Sequence, residues 1–275
     1  MEIRRVVGIL RLIMQQEAKH LTKRQWLLIA LSATLLVILA VAQGIYRGLN
    51  FNDFGQMTKR GRIVACCDNS PWGFSKNAED GERGIGYQIM HDFADSLGLE
   101  LEIVIKNNPD DVLKELDKGY IDVVILPTAM TRQIKSKYIN TIPLLCTPLV
   151  AVYNKNHGEK ITLDNISQQQ LTVQPNHAIE LRLKHLENET GQNIRHNTVN
   201  DISLNELIRL VSLSAINGTI CPKALADTYC EEYDDLGYTP ISVEQEYVWV
   251  LKQNRQQTLK VVNEFLIKQN LSNCQ

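Results

Sequence analysis

Between Trp26 and Ile45 the chain runs twenty residues without a charge, WLLIALSATLLVILAVAQGI. At a rise of about 1.5 Å per residue such a run just spans a hydrocarbon core of about 30 Å. The segment ahead of it carries Arg4, Arg5, Arg11, Lys19, Lys23 and Arg24 against Glu2 and Glu17, and a basic flank of this kind stays on the cytoplasmic side. The expectation is a basic cytoplasmic N-terminus over residues 1–25, a single transmembrane helix over 26–46 in the inner membrane, and a body in the periplasm. Ala40-Val41-Ala42 has the A-x-A form of a signal-peptidase site, so cleavage there is the alternative. In both cases the body is exported.

That body is read as folded. With 44% hydrophobic and 22% charged residues the chain has the composition of a packed globular protein. A net charge of −2 carries no field of one sign, and no nucleic-acid partner is expected. The six cysteines are Cys66, Cys67, Cys146, Cys221, Cys230 and Cys274, and an exported chain can pair them. Cys66 and Cys146 sit in apolar, strand-like runs and read as free thiols acting as small hydrophobes. Cys221 and Cys230 are placed to bridge a strand end to the next helix, although spacing alone leaves the connectivity open. No Cys/His cluster has zinc spacing, and neither a metal nor a cofactor is expected.

Residues 47–60 read as a polar linker. From Gly61 strands and helices alternate. The run RIVACC predicts a buried strand that Asp68-Asn69-Ser70-Pro71 ends. Ile89, Met90, Phe93, Ala94 and Leu97 fall at helical spacing, with Gly98 as the stop. Leu101 to Ile105 alternates as a strand, Asp110 to Leu116 is a short helix after Pro109, and Ile121 to Leu126 is a strand apolar on both faces. Leu144 to Tyr153 is an apolar run broken by Pro148. The pattern then repeats: a strand from Leu171, a helix over Ala178 to Leu186, a helix over Leu204 to Leu213 capped by Ser203, a strand over Thr219 to Cys221 with a helix after Pro222, a strand over Tyr247 to Leu251 and an amphipathic helix over Thr258 to Ile267. Such alternation predicts α/β units around mostly parallel sheets, in two groups joined near Tyr153.

The runs GYQIMHDFADSLGLELEIV and LKELDKGYIDVVILPTAMT resemble consecutive units of type II periplasmic binding proteins, solute-binding family 3. LTVQPNHAIELRLKHL and EQEYVWVLKQNRQQTLKVVNEFL look like the non-catalytic, binding-protein-like domain of membrane-bound lytic transglycosylase F. The resemblance implies a two-lobed α/β fold, with lobe 1 over residues 61–151 and 246–275 and lobe 2 over 152–245. It also implies a ligand cleft at strand ends and helix N-termini between the lobes, closed by hinge motion.

Carried over position by position, the resemblance places an aromatic wall at Trp72 or Phe74, in the turn that Asp68 begins. The family's Gly-aromatic-Asp becomes Gly86-Tyr87-Gln88, so Gln88 stands where a charge is lost. The next turn is Thr128-Ala129-Met130-Thr131, and the Arg that clamps an α-carboxylate in amino-acid binders falls at Ile134, with Arg132 two residues earlier. In lobe 2 the helix start falls at Asn176-His177, and the amino-group Asp falls at Pro222, followed by Lys223. The candidate ligand-binding residues are therefore Asp68, Trp72, Phe74, Gln88, Thr128, Met130, Thr131, Arg132, Asn176, His177 and Lys223. These substitutions argue against a free α-amino acid. Lys223, Arg132 and His177 suit an anionic or peptide-like ligand, cell-wall fragments included.

The implied function is a membrane-anchored, extracytoplasmic solute-binding protein for transport or sensing, with a transporter permease or a murein enzyme as partner. The alternative is a regulatory interaction protein of cell-wall metabolism with a degenerate cleft. An enzyme is not expected. The chain stops after the closing helix, where a catalytic domain would follow, and only His177 and Asp68 offer acid–base chemistry in the cleft.

Overall fold

A computed structural model describes residues 31–39, 53–77, 81–157, 159–271 and 274. Residues 31–39 form a helix whose side chains are all exposed; the remainder of the expected anchor lies outside the described residues. Among the described residues no helix is long and apolar enough to cross a membrane. The chain divides into Met1–Asn52 and Asp53–Gln275, and the second unit carries the features that follow.

It begins with α1 (Asp53–Arg60), β1 (Arg62–Asp68), the hairpin β2 (Ser75–Asn77) and β3 (Gly81–Arg83), α2 (Ile85–Ser96), β4 (Glu100–Lys106), α3 (Pro109–Lys118), β5 (Val123–Ala129), α4 (Arg132–Lys137), β6 (Tyr138–Asn140) and β7 (Leu145–Thr147). There follow β8 (Leu149–Asn154), β9 (Leu171–Val173), α5 (His177–Thr190), β10 (His196–Thr198), α6 (Leu204–Ser212), β11 (Thr219–Pro222), α7 (Lys223–Glu232) and β12 (Leu236–Pro240). The last two elements are β13 (Gln245–Lys252) and α8 (Gln256–Lys268).

Two lobes result. In lobe 1 the strand order is β4-β1-β5-β13-β6, with β7 also on β13. β1 runs parallel to β4 and β5, whereas β13 is antiparallel to β5, β6 and β7. The strand alternation of β1 sorts its side chains to two cores. Ile63, Ala65 and Cys67 join Met90 and Phe93 of α2 and Val262 and Leu266 of α8. Val64 and Cys66 join Val112 and Leu116 of α3. Each large apolar side chain so buried contributes about 1.5–3 kcal/mol before entropy is counted. The adjacent thiols Cys66 and Cys67 thus serve opposite faces, and both are free and buried.

Lobe 2 departs from the expected parallel sheet. β8 lies between β11 and β12 and is antiparallel to both; only β9 and β10 pair in parallel. The strand that enters the lobe is flanked by the two that follow α6 and α7 on the way back, and this sets the antiparallel sense. The apolar run over Leu144 to Tyr153 is two strands parted at Pro148, which brings no N–H to a ladder: β7 stays in lobe 1 and β8 belongs to lobe 2. The crossover therefore sits at Pro148, ahead of the expected boundary at Ala151, and the return lies between Pro240 and Gln245.

Two further expectations change. The linker read over 47–60 contains α1 from Asp53 onward, with Met57 buried in the lobe 1 core. Cys146, read as a free thiol, is bonded to Cys274 across a sequence separation of 128 residues. Cys221 and Cys230 are free; burial of Cys221 in the sheet of lobe 2 suits a small hydrophobe.

Asp53 explains why α1 holds. Only 4% exposed, its carboxylate accepts hydrogen bonds from the N–H groups of Gln257 and Thr258, both at 3.1 Å, and from Thr258 Oγ1 at 2.6 Å. It caps the first turn of α8 from a distance of two hundred residues along the chain, where Arg255 offers no side-chain cap. Asp53→Ala should cost about 2 kcal/mol, seen as an earlier midpoint in urea unfolding; an unchanged midpoint would show that water replaces the carboxylate.

Candidate ligand-binding cleft

The chain passes from β1 to β4 on one side and then to β5 on the other. Between the carboxyl ends of β1 and β5 the connections diverge and leave a crevice, the usual ligand position in open α/β sheets. Asp68 closes β1 and Thr128 and Ala129 close β5, and all three line a cavity of about 260 Å³ between the lobes. Lobe 2 supplies the opposite wall, from Asn176 and His177 at the start of α5 to Ile220, Cys221 and Pro222 of β11.

The floor is mostly apolar, with Leu126, Leu149, Ile220 and Leu225. Two polar groups stand in it. Asp68 is 3% exposed, and its Oδ1 accepts a 2.7 Å hydrogen bond from Ser70 Oγ. Burial pushes its carboxyl up to about 6, against a smaller opposing pull from the Ser70 bond. The loop can fold this tightly over Asp68 because residue 73 is glycine. A Cβ there would stand 2.2 Å from the Asp68 carbonyl oxygen and 2.6 Å from Oδ1. The second group is Tyr247, 3% exposed, whose hydroxyl has no hydrogen-bond partner among the described residues. Burial raises the pKa of that hydroxyl well above the usual tyrosine value.

The rim is charged and largely self-paired. Lys114 Nζ lies 2.7 Å from Asp111, and Lys137 Nζ lies 2.5 Å from Asp117. At the start of α5, Asn176 Oδ1 accepts from the N–H groups of Ala178 and Ile179, at 3.0 and 3.4 Å. The remaining N–H of this turn, on His177, donates to Asp110 Oδ1 of lobe 1 at 3.3 Å. Two more bonds join the lobes beside it: Gln174 Nε2 donates to the Asn107 carbonyl at 2.6 Å, and Asn108 Nδ2 to the Asn200 carbonyl at 3.0 Å.

Of the residues singled out in the sequence, Asp68, Thr128, Thr131, Asn176 and His177 line this cavity. Thr131 also caps α4, its Oγ1 accepting from Ile134 N–H at 3.3 Å. The others lie outside its wall. Trp72 packs on the lobe 2 core formed by β8, α6 and α7. Phe74 packs on the lobe 1 core and edge-on against Tyr87, with centroids 5.0 Å apart. Gln88 and Arg132 are exposed, and Met130 packs beside the α3 core. Lys223 is held at 2.7 Å by Asp227, four residues on, and lies over the Tyr238 ring.

Sequence reasoning missed Tyr247, Asp110, Gln174 and the apolar floor. Tyr247 opens an apolar strand, and nothing in the strand pattern separates a cleft residue from a core residue. Asp110 stands in the first turn of α3, where an acid is expected simply for the helix dipole.

Residues 62–272 match the family of bacterial extracellular solute-binding proteins, family 3. The chain belongs to this family. Family 3 membership accounts for the two lobes, the discontinuous lobe 1 and the crevice at the switch point. The chain is 28% identical over 141 residues to membrane-bound lytic murein transglycosylase F of Haemophilus influenzae (strain PittEE), covering 51% of this chain and 29% of the relative. It is 23% identical over 240 residues to the protein of the same name from Cronobacter sakazakii, covering 86% of this chain and 46% of the relative. The chain thus spans less than half the length of these curated relatives, and what matches is the solute-binding part. Among solved structures, holo ArgBP from T. maritima superposes with a TM-score of 0.67 at 17% identity, over 78% of this chain and 93% of that one. The substrate-binding protein AbpA from Streptococcus pneumoniae, bound to L-arginine, gives 0.67 at 16% identity, over 79% and 92%. At these identities the likeness is one of fold.

Proposed function

We propose that this family 3 protein is a membrane-anchored solute-binding protein of the periplasm that closes its two lobes around one small polar ligand, for transport or sensing. The observation that carries this reading is a buried carboxyl, Asp68, and a buried unpartnered hydroxyl, Tyr247, facing one apolar cavity at the sheet's switch point. Groups left this way in an apolar floor are what orients a ligand. At about 260 Å³ the cavity lies just below the usual range of ligand pockets, about 300 to 1,000 Å³. That suits an amino-acid-sized or dipeptide-sized molecule, and among cell-wall fragments only the smallest peptide pieces. Lys223 and Arg132, on which the anionic reading leaned, stand outside the wall, whereas Asp68 favours a ligand that donates hydrogen bonds or carries positive charge. The uncharged run over 26–45 and its basic flank support the anchor and the periplasmic placement.

The protein is read as a binder rather than an enzyme. Asp68 is bonded to Ser70, and the His177 backbone to Asp110; among the described residues no hydrogen bond joins the two as an acid–base pair. The second reading is a non-catalytic regulator of a murein enzyme. Hydrogen bonds that join the lobes without a ligand favour it, that from the Ala224 N–H to Thr147 Oγ1 among them, as does the relationship to lytic transglycosylase F.

The test uses the full chain, purified in detergent from the alkali-washed membrane fraction where a spanning anchor keeps it. It is screened by thermal shift against amino acids, diamines and short murein peptides. A ligand at one hundred times its Kd adds about 2.7 kcal/mol and should raise the melting temperature by about 5–10 °C. A flat response across the screen, with specific capture of a murein hydrolase by the same preparation, would replace the first reading by the second.

A further inference from the structure

We propose that Asp110 acts as a built-in stand-in for a ligand carboxylate at the α5 N-terminus, so that the cleft selects amines that carry no carboxylate. The inference rests on the solute-binding reading above and names the ligand class.

A helix N-terminus attracts anions through its free N–H groups and its dipole. In α5 those groups are already engaged. Asn176 takes the N–H of Ala178 and of Ile179, and Asp110 takes that of His177 from across the cleft. An incoming carboxylate would have to displace the Asp110 carboxylate or lie against it, like charge to like. Elsewhere in the wall the cations are spent. Lys114 is paired with Asp111 and Lys137 with Asp117, and among the described residues no arginine lines the cavity. Ile134, buried at the start of α4 and also in the wall, offers only apolar surface.

The floor points the other way. Asp68 is a buried acceptor without a basic partner among the described residues, and Tyr247, 3% exposed and with its hydroxyl unpartnered among those residues, lines the same cavity. An ammonium or guanidinium group carries the donors that such buried acceptors call for, and an alkyl chain suits the apolar Leu126, Leu149 and Ile220 of the same wall. The Asp68 carboxyl and the engaged N-terminus of α5 therefore agree on one class: a short aliphatic amine or guanidine that carries no carboxylate.

The experiment compares each amino acid with its decarboxylated twin: L-arginine against agmatine, and L-lysine against cadaverine. It uses isothermal titration calorimetry on the full chain in detergent, as the parent and as Asp110→Ala and Asp110→Asn. The parent is expected to bind the amine of each pair about ten-fold more tightly than the amino acid. Asp110→Ala should close or invert that gap by admitting the carboxylate, and Asp110→Asn, which keeps a hydrogen-bonding oxygen without the charge, should fall between. Tighter binding of the amino acids by the parent overturns this inference and leaves the solute-binding reading in place. A preference for amines that Asp110→Ala does not move overturns the role of Asp110. Failure of all four compounds on all three proteins also overturns it, and the wider screen then decides the solute-binding reading separately.

Discussion

Asp122→Ala should lower the melting temperature by on the order of 10 °C, the largest loss expected from a single polar side chain here. Asp122 immediately precedes β5 and is fully buried. Its Oδ2 accepts the Val64 N–H of β1 at 2.9 Å and pairs with Arg60, just ahead of β1. Its Oδ1 lies 3.2 Å from Arg255 Nη2, ahead of α8, as an ion pair without an aligned hydrogen bond. One carboxylate thus joins α1, the middle of the sheet and the closing helix. Removing it leaves the Val64 N–H without its acceptor and the Arg60 and Arg255 guanidinium groups without their counter-charge, and breaking a buried pair from one side costs about 3–5 kcal/mol. Arg255→Met should cost less, because Arg60 still balances the acid. Calorimetric melts of the parent and both variants check this; a loss for Asp122→Ala no larger than for Arg255→Met would mean that water reaches the site.

The second large effect depends on pH. Asp68 has its carboxyl raised from 3.8 to about 6 by burial. The fold therefore prefers the protonated acid. Below pH 3.8 Asp68 adds no penalty. Between 3.8 and about 6 the unfolded chain ionises first and stability falls, and above 6 the full penalty is present. At about 1.4 kcal/mol for each pH unit the penalty is about 3 kcal/mol. Asp68→Asn keeps an acceptor for Ser70 and removes the charge, so it should stabilise the protein by about that amount at pH 7.5 and by almost nothing near pH 4. Urea unfolding at both pH values reads the difference. Parallel pH profiles for parent and variant would show that Asp68 stays ionised with its charge answered by solvent. The same variant should lose amine binding, because the charge that weakens the free protein is the one a cationic ligand meets.

Much of the architecture could be read from local pattern. α2, α3, α6 and α8 announce themselves by helical spacing and by end signals, Ser203 and Glu206 forming a capping box at α6 and Gly119 ending α3 at a φ of 92°. α1 passes for a linker in the sequence because it is short and polar on average, with its hold on the lobe coming from Met57 in the core and from Asp53 on a helix two hundred residues away. The cleft was half legible. Turn residues after strands, such as Asp68 and Thr128, are marked by their position. Tyr247, Ile220 and Leu149 look like any other strand residues until the two lobes face each other. Lys223 shows the opposite error: its partner Asp227 lies four residues along α7, a pairing visible in the sequence that already removes it from the cleft.

The position of β13 bears on the order in which this protein can fold. It fills the centre of the lobe 1 sheet, between β5 and β6, yet all of lobe 2 precedes it in the chain. During N-to-C synthesis, lobe 2 is complete in one contiguous stretch, whereas lobe 1 must wait with the edge of β5 unpaired. The apolar side chains of Val124 and Leu126 on that edge stay without their cover until Val248 and Val250 arrive. Lobe 1 is the segment most in need of a chaperone's protection while the chain is made, and lobe 2 is the piece able to fold first.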